Sequence, residues 1–165
     1  MLQVQQEFLN KKQEIDLLSN LRPSRIASGI ARNKIIRYGS ALPYGYKERP
    51  IPDWLTELCM KVTEEWQKLP NYCGEVNHVT INEYHKGQSI DWHIDSKTSG
   101  EVITVLSLES DVILGLKDEK GQEVQIPLPA RSLLHMTEED RWKKQHCIYP
   151  VKSHRWSLVF RYGNK

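Results

Sequence analysis

The chain is predicted to be a mainly β protein with flanking helices: a double-stranded β-helix (jelly-roll) barrel with N-terminal helices packed outside. Three observations predict it. From Val79 onward come about eight short strand-like runs, separated by Gly, Asp, Lys and Pro. Before them lie two stretches whose apolar residues recur at helical spacing. The length, 165 residues, suits one domain around one core. Eight short strands after a helical start form two packed sheets, since each sheet must bury an apolar face.

Residues 3–19 read as the first helix, with Val4, Phe8, Ile15 and Leu18 as its apolar stripe and Pro23 preventing continuation. Residues 22–50 differ in composition, with seven Lys and Arg against the single acid Glu48, while the whole chain is only +2. Arg37, Tyr38, Tyr44 and Tyr46 fall here, cations and rings interleaved as single-stranded nucleic acid requires, although a solvated loop whose tyrosines pack on the barrel fits the same residues. Pro52 and Asp53 open a second helix with Trp54, Leu55, Leu58, Val62 and Trp66 on one face, closed by Pro70. Strands follow at 79–84, 89–94, 102–106, 111–116, 123–126, 132–136, 147–149 and 156–162, with Lys120-Gly121 as a hairpin turn. The domain reading is therefore one unit over 1–165, with a barrel core at 77–162.

Bulk properties narrow the class. No apolar run approaches a membrane span and the N-terminus is polar, so a soluble intracellular monomer, cytoplasmic or nuclear, is expected. Cys59, Cys73 and Cys147 are odd in number and show no pairwise spacing, which argues against a disulfide framework or a zinc motif. Cys147 reads as a buried thiol.

Chemistry concentrates in Thr80 to Asp95. There His93 and Asp95 stand two residues apart in an alternating stretch, which would set Asp91, His93 and Asp95 on one face and Ile90, Trp92 and Ile94 on the other. An imidazole and a carboxylate on one face can supply two of three ligands to a divalent iron, with a later histidine as the third. Near the end, Arg155, Ser157 and Arg161 share a face opposite Trp156, Leu158 and Phe160. Arginines on the side of a metal are ready partners for a dicarboxylate, though surface ion pairs would look the same.

The order Asn82-x-Tyr84, a glycine, His93-x-Asp95, a distant His, then Arg155-x-Ser157-x-x-x-Arg161 resembles the AlkB-type branch of the iron(II)- and 2-oxoglutarate-dependent dioxygenases. The resemblance spans roughly 34–161. It implies His93, Asp95 and His146 as iron ligands, Asn82 and Tyr84 as hydrogen-bond partners of 2-oxoglutarate, and Arg155 and Arg161 as its charge partners, with Ser157 between them. It also implies O2 as co-substrate, and oxidative demethylation of N-alkylated DNA or RNA with release of succinate, CO2 and formaldehyde. Residues near 34–50 would form a short lid.

His135 competes as third ligand, but its Ser132-Leu133-Leu134 setting reads as buried on both faces. His146 opens a strand beside the arginines, and the family pattern places an arginine five residues before the distal His, where Arg141 stands. His78, His85 and His154 read as ordinary strand-end or loop residues. Two positions depart from the pattern: Lys97 replaces the acid of base-flipping members, where it could instead meet a phosphate, and Lys144 replaces an aromatic. Hydroxylation of a modified tRNA nucleoside or a protein side chain, and a catalytically silent binding barrel, are the alternatives.

Overall fold

The alternating runs pair into two antiparallel sheets that face each other. The structure, a computed structural model, describes residues 1–22, 34–40, 48–70 and 74–163. In chain order the elements are β1 (Leu2–Gln5), α1 (Lys11–Leu21), β2 (Lys34–Gly39), α2 (Asp53–Trp66), β3 (His78–Tyr84), β4 (Ile90–His93), β5 (Ile103–Leu108), β6 (Val112–Lys117), β7 (Glu123–Leu128), β8 (Leu133–Met136), α3 (Glu138–Trp142), β9 (Gln145–Ile148) and β10 (Arg155–Arg161). The larger sheet runs β1-β8-β5-β10-β3-β2 and the smaller β4-β9-β6-β7, which is the jelly-roll expected from the sequence.

The larger sheet has two working faces because its strands alternate. On its outer side Trp156, Leu158 and Phe160 of β10 share a buried cluster with Leu17, Leu18 and Leu21 of α1 and Leu55, Val62 and Trp66 of α2. Full burial of each such side chain contributes about 1.5–3 kcal/mol, so the two helices are held to the sheet by packing. The inner side of the sheet packs with Val112, Leu114 and Leu116 of β6 and Ile148 of β9 into a second cluster between the sheets.

Two readings of the N-terminal half need correction. The helix does not run over 3–19: Leu2–Gln5 is a strand paired with β8, Leu2 opposite Met136 and Val4 opposite Leu134. Helix α1 begins only after Asn10, whose side chain accepts from the Gln13 amide while Gln13 returns a bond to the Asn10 amide. The expected stripe mixed two elements, so Ile15 is exposed, and the buried face is Glu14, Leu17, Leu18 and Leu21. The second correction is β2, an edge strand on β3 within what was read as a basic lid. Its alternation sends Arg37 to the inner side, while Tyr38 packs edge-on against Trp54 of α2, ring centroids 6.5 Å apart. Tyr44 and Tyr46 lie outside the described residues.

His135 has a structural task. Its Nδ1 bonds Thr104 Oγ1 (2.8 Å), which also accepts from Trp66 Nε1 (2.6 Å), and burial pushes the imidazole down to about 4.

Candidate active site

Between the sheets lies a cavity of about 290 Å³, walled by β10 and β3 on one side and by β4 and β9 on the other. Local backbone chemistry decides which side chains enter it. β4 and β9 pair His93 with His146 and Ile90 with Ile148, so three steps on β4 match two on β9 and one residue of β4 is extra. That bulge turns Ile90 to the cavity together with His93, whereas strict alternation would have sent Asp91 there. Asp91 is exposed and contributes its carbonyl, which accepts from His93 Nδ1 at 2.8 Å. This bond fixes the tautomer, leaving the Nε2 lone pair for a metal.

Asp95 follows β4, and His146 stands opposite His93 with ring centroids 4.2 Å apart. Asp95 Oδ1 is 3.3 Å from His93 Nε2 and 3.8 Å from His146 Nε2, and the three donor atoms lie within 4.8 Å of one another. Donors about 2.1 Å from one ion at right angles sit about 3 Å apart, so small side-chain adjustments would close this set on a first-row divalent ion. Asp95 Oδ2 is occupied separately, accepting from Arg161 Nη2 (2.7 Å) and Nε (3.0 Å), while Arg161 Nη1 donates to Thr80 Oγ1 (2.9 Å). Burial alone would raise the Asp95 carboxyl, but the Arg161 charge and the His93 hydrogen bond hold it well below the usual carboxylate range.

The two histidines titrate apart. Burial, then the neighbouring His93, pushes His146 down to about 4; for His93 burial acts in the same sense but is outweighed by the Asp95 and Asp91 bonds, which raise it. A metal must displace a proton from any protonated ligand. Metal affinity is therefore expected to fall about tenfold per pH unit below the raised His93 value, His146 adding a second proton only in strong acid. Dissociation constants measured from about pH 8 to about pH 5 check this; a flat profile contradicts it.

At the other end of the cavity is Arg155, fully buried. Its Nε donates to Ser107 Oγ (3.0 Å) and its guanidinium lies 4.9 Å from the Tyr84 ring centre, but among the described residues Nη1 and Nη2 find no hydrogen-bond partner. A buried guanidinium with two idle nitrogens is costly unless an anion takes them, and its planar fork fits a carboxylate. Burial also raises the Tyr84 phenol against the pull of Arg155. Asn82 and Ser157 line the same wall, Asn82 Nδ2 donating to Ser157 Oγ at 3.5 Å. The donor set and the unsatisfied guanidinium fit a divalent iron and a dicarboxylate. The arginines divide the work differently from expectation. Six residues separate them by about 20 Å along β10; Arg161 lies on Asp95 of the candidate triad, and of the two it is Arg155 whose donors stay free among the described residues.

Sequence reasoning noted Arg141 only by its spacing. It is buried, and donates to the carbonyls of Gly100 (3.0 Å), Asp95 (3.1 Å) and Ser96 (2.6 Å), clamping the loop that presents Asp95. Gly100 ends that loop at φ +80, where a Cβ would meet the Tyr162 carbonyl at 2.3 Å. Arg141→Met is expected to lower Tm and to weaken metal binding about 10- to 100-fold. Calorimetry and metal titration separate the two, and a lowered Tm with unchanged metal affinity would confine Arg141 to stability. Thr80 and Ser107 were also missed, because only strand pairing reveals which arginine each one holds. Lys97 is exposed in the 3-10 turn Lys97–Ser99 and does not line the cavity.

The model of the 2OG-Fe(II) oxygenase superfamily matches residues 3–161. The chain is 30% identical over 162 residues to tRNA (carboxymethyluridine(34)-5-O)-methyltransferase ALKBH8 of Mus musculus, covering 92% of this chain and 24% of that protein. It is 33% identical over 73 residues to the probable RNA/DNA demethylase ALKBH6 of Danio rerio, covering 44% of this chain and 30% of that protein. The chain thus spans about a quarter of the length of the ALKBH8 relatives it matches. Among solved structures it resembles a Pseudomonas putida prolyl-4-hydroxylase, with TM-score 0.72, 14% identity, and 99% and 92% of the two chains covered. The structure of OsALKBH1 gives TM-score 0.66 at 14% identity, with 98% and 97% covered.

Proposed function

The chain belongs to the 2OG-Fe(II) oxygenase superfamily, AlkB-type branch, and on that premise we propose that it oxidises an alkyl C–H bond on a nucleic-acid base, removing N-methyl groups as formaldehyde. It is a dioxygenase that uses Fe(II), 2-oxoglutarate and O2. His93, Asp95 and His146 would hold the iron, and Arg155 the distal carboxylate of 2-oxoglutarate, with Asn82, Tyr84 and Ser157 beside it. Iron and the keto acid together supply the oxidation of a C–H bond by O2, yielding succinate and CO2.

The protein's own part is binding and exclusion. Arg161 keeps Asp95 ionised and occupies Oδ2, leaving Oδ1 for the metal. The apolar wall of Ile90, Ile103, Val105 and Leu114 keeps water from the reacting carbon. The observation that carries the enzymatic reading is the buried Arg155 fork in the same cavity as the triad; a barrel that only bound metal would have no use for it.

The substrate reading rests on the β2 wall. Ile35, 41% exposed, and Arg37 line the cavity, offering an apolar surface to a base and a cation to its phosphate. At about 290 Å³ the cavity is at the small end of ligand sites, with room for the co-substrate and an alkyl group. The likeness to ALKBH8, named for a tRNA uridine, favours a second reading, hydroxylation of a modified tRNA nucleoside without loss of carbon. Methylated DNA, methylated RNA, tRNA and a peptide panel, each assayed for succinate and formaldehyde, decide. Both products from a methylated polynucleotide support demethylation; succinate from tRNA without formaldehyde selects the second reading. Coupled turnover on peptides alone refutes both.

A further inference from the structure

A second cluster of ligand atoms lies on the far side of the larger sheet from the cavity. Alternation along β3 sends Asn82 and Tyr84 inward and Glu83 outward, where its side chain is only 5% exposed. Glu83 Oε1 is 2.9 Å from His154 Nε2, just before β10, and 3.7 Å from His85 Nε2, just after β3. The imidazole ring centroids are 5.2 Å apart, and all three donor atoms lie within 4.8 Å of one another.

We propose that Glu83, His85 and His154 form a second divalent-metal site, selective for a borderline ion of the zinc class and independent of the iron site. Donors about 2.1 Å from an ion in tetrahedral arrangement are about 3.4 Å apart, a separation bracketed by the two distances to Glu83. His154 Nδ1 hydrogen-bonds Glu109, and Glu109 is held by Arg22 Nη2 at 3.0 Å. A carboxylate on one imidazole nitrogen orients the other toward a metal and makes it a stronger donor. The His154 ring is further fixed edge-on against Trp156, at 5.8 Å between centroids. The ion would take the place of the hydrogen bond between His154 Nε2 and Glu83 Oε1.

The ligand set states the metal class. Two neutral imidazoles and one carboxylate suit Zn2+, and the exposure of His85 (56%) and His154 (38%) leaves room for water as fourth ligand. The site joins the end of β3 to the loop entering β10, two strands already paired through Tyr84 and Arg155. Its ion would act as a clip across that junction.

The test uses the whole chain with both cavity imidazoles removed, His93→Ala with His146→Ala, which leaves Asp95 on Arg161 and keeps the iron site from contributing. Equilibrium dialysis against Zn2+ is expected to give about one bound ion per chain, with a rise in Tm on Zn2+ addition. Adding His85→Ala, or separately His154→Ala, should weaken that binding about 100-fold and abolish the Tm rise. His85 is exposed, so its variant should keep the Tm of the metal-free protein, which separates a lost site from a lost fold. Failure of that folded background chain, its melting transition intact, to bind Zn2+, or undiminished binding with both His85 and His154 replaced, would overturn the proposal. Either result leaves the reading of the cavity untouched, because no residue is shared.

Discussion

His93→Ala is expected to abolish succinate production from 2-oxoglutarate, lowering turnover at least about 1,000-fold even at saturating iron, because a metal-dependent reaction is lost with its centre. Asp95 and His146 remain, but two donors on one side of an ion do not form the three-donor facial site. The loss should come without unfolding: His93 is 38% exposed at the end of β4, and its removal leaves the Arg161 bonds to Asp95 in place. Succinate assays with parallel calorimetry measure both quantities. Succinate release unchanged from wild type would remove His93 from the metal site.

Arg155→Met should separate stability from function in the opposite sense. The guanidinium is fully buried, with Nη1 and Nη2 unsatisfied and burial working against its charge. Replacing a buried, incompletely paired charge by an apolar chain of similar length is neutral or stabilising, so the ligand-free variant should melt at or above the wild-type Tm. Binding of 2-oxoglutarate should weaken by about 100-fold or more, as a bidentate charge-assisted pair is lost from a dry site. Arg155→Lys keeps the charge without the fork and should recover only part of the affinity. Calorimetry and anaerobic titration give the two numbers. A variant that binds the diacid as tightly as wild type would place the carboxylate elsewhere.

The sequence revealed the barrel well because most of its strands carry their own signal. Alternation marks β10 and short β-branched or apolar runs between turn residues mark β3, β5 and β6 whatever they pair with, and the observed bounds differ from the expected ones by a residue or two. What it hid depended on partners. Leu2 and Val4 fit a helix and a strand equally, and only pairing with β8 about 130 residues away decides between them. The bulge between Ile90 and His93 exists only relative to β9, so alternation put Asp91 where Ile90 stands. The residues of the candidate site were legible as types in order, but the different surroundings of Arg155 and Arg161 were not, since they follow from where Asp95 Oδ2, Thr80 and Ser107 lie across strands. Glu83, His85 and His154 were unreadable as a group for the same reason: β3 and β10 are adjacent in the sheet and some seventy residues apart in the chain.

Whether one diacid is held at one end by the metal triad and at the other by Arg155 is examined most directly by anaerobic titration of 2-oxoglutarate with and without Fe(II), alongside glutarate, which lacks the keto oxygen. Two-ended binding predicts that Fe(II) tightens 2-oxoglutarate at least about tenfold and glutarate much less, with the metal bound correspondingly tighter in its presence. Equal affinity for 2-oxoglutarate with and without Fe(II) would contradict it.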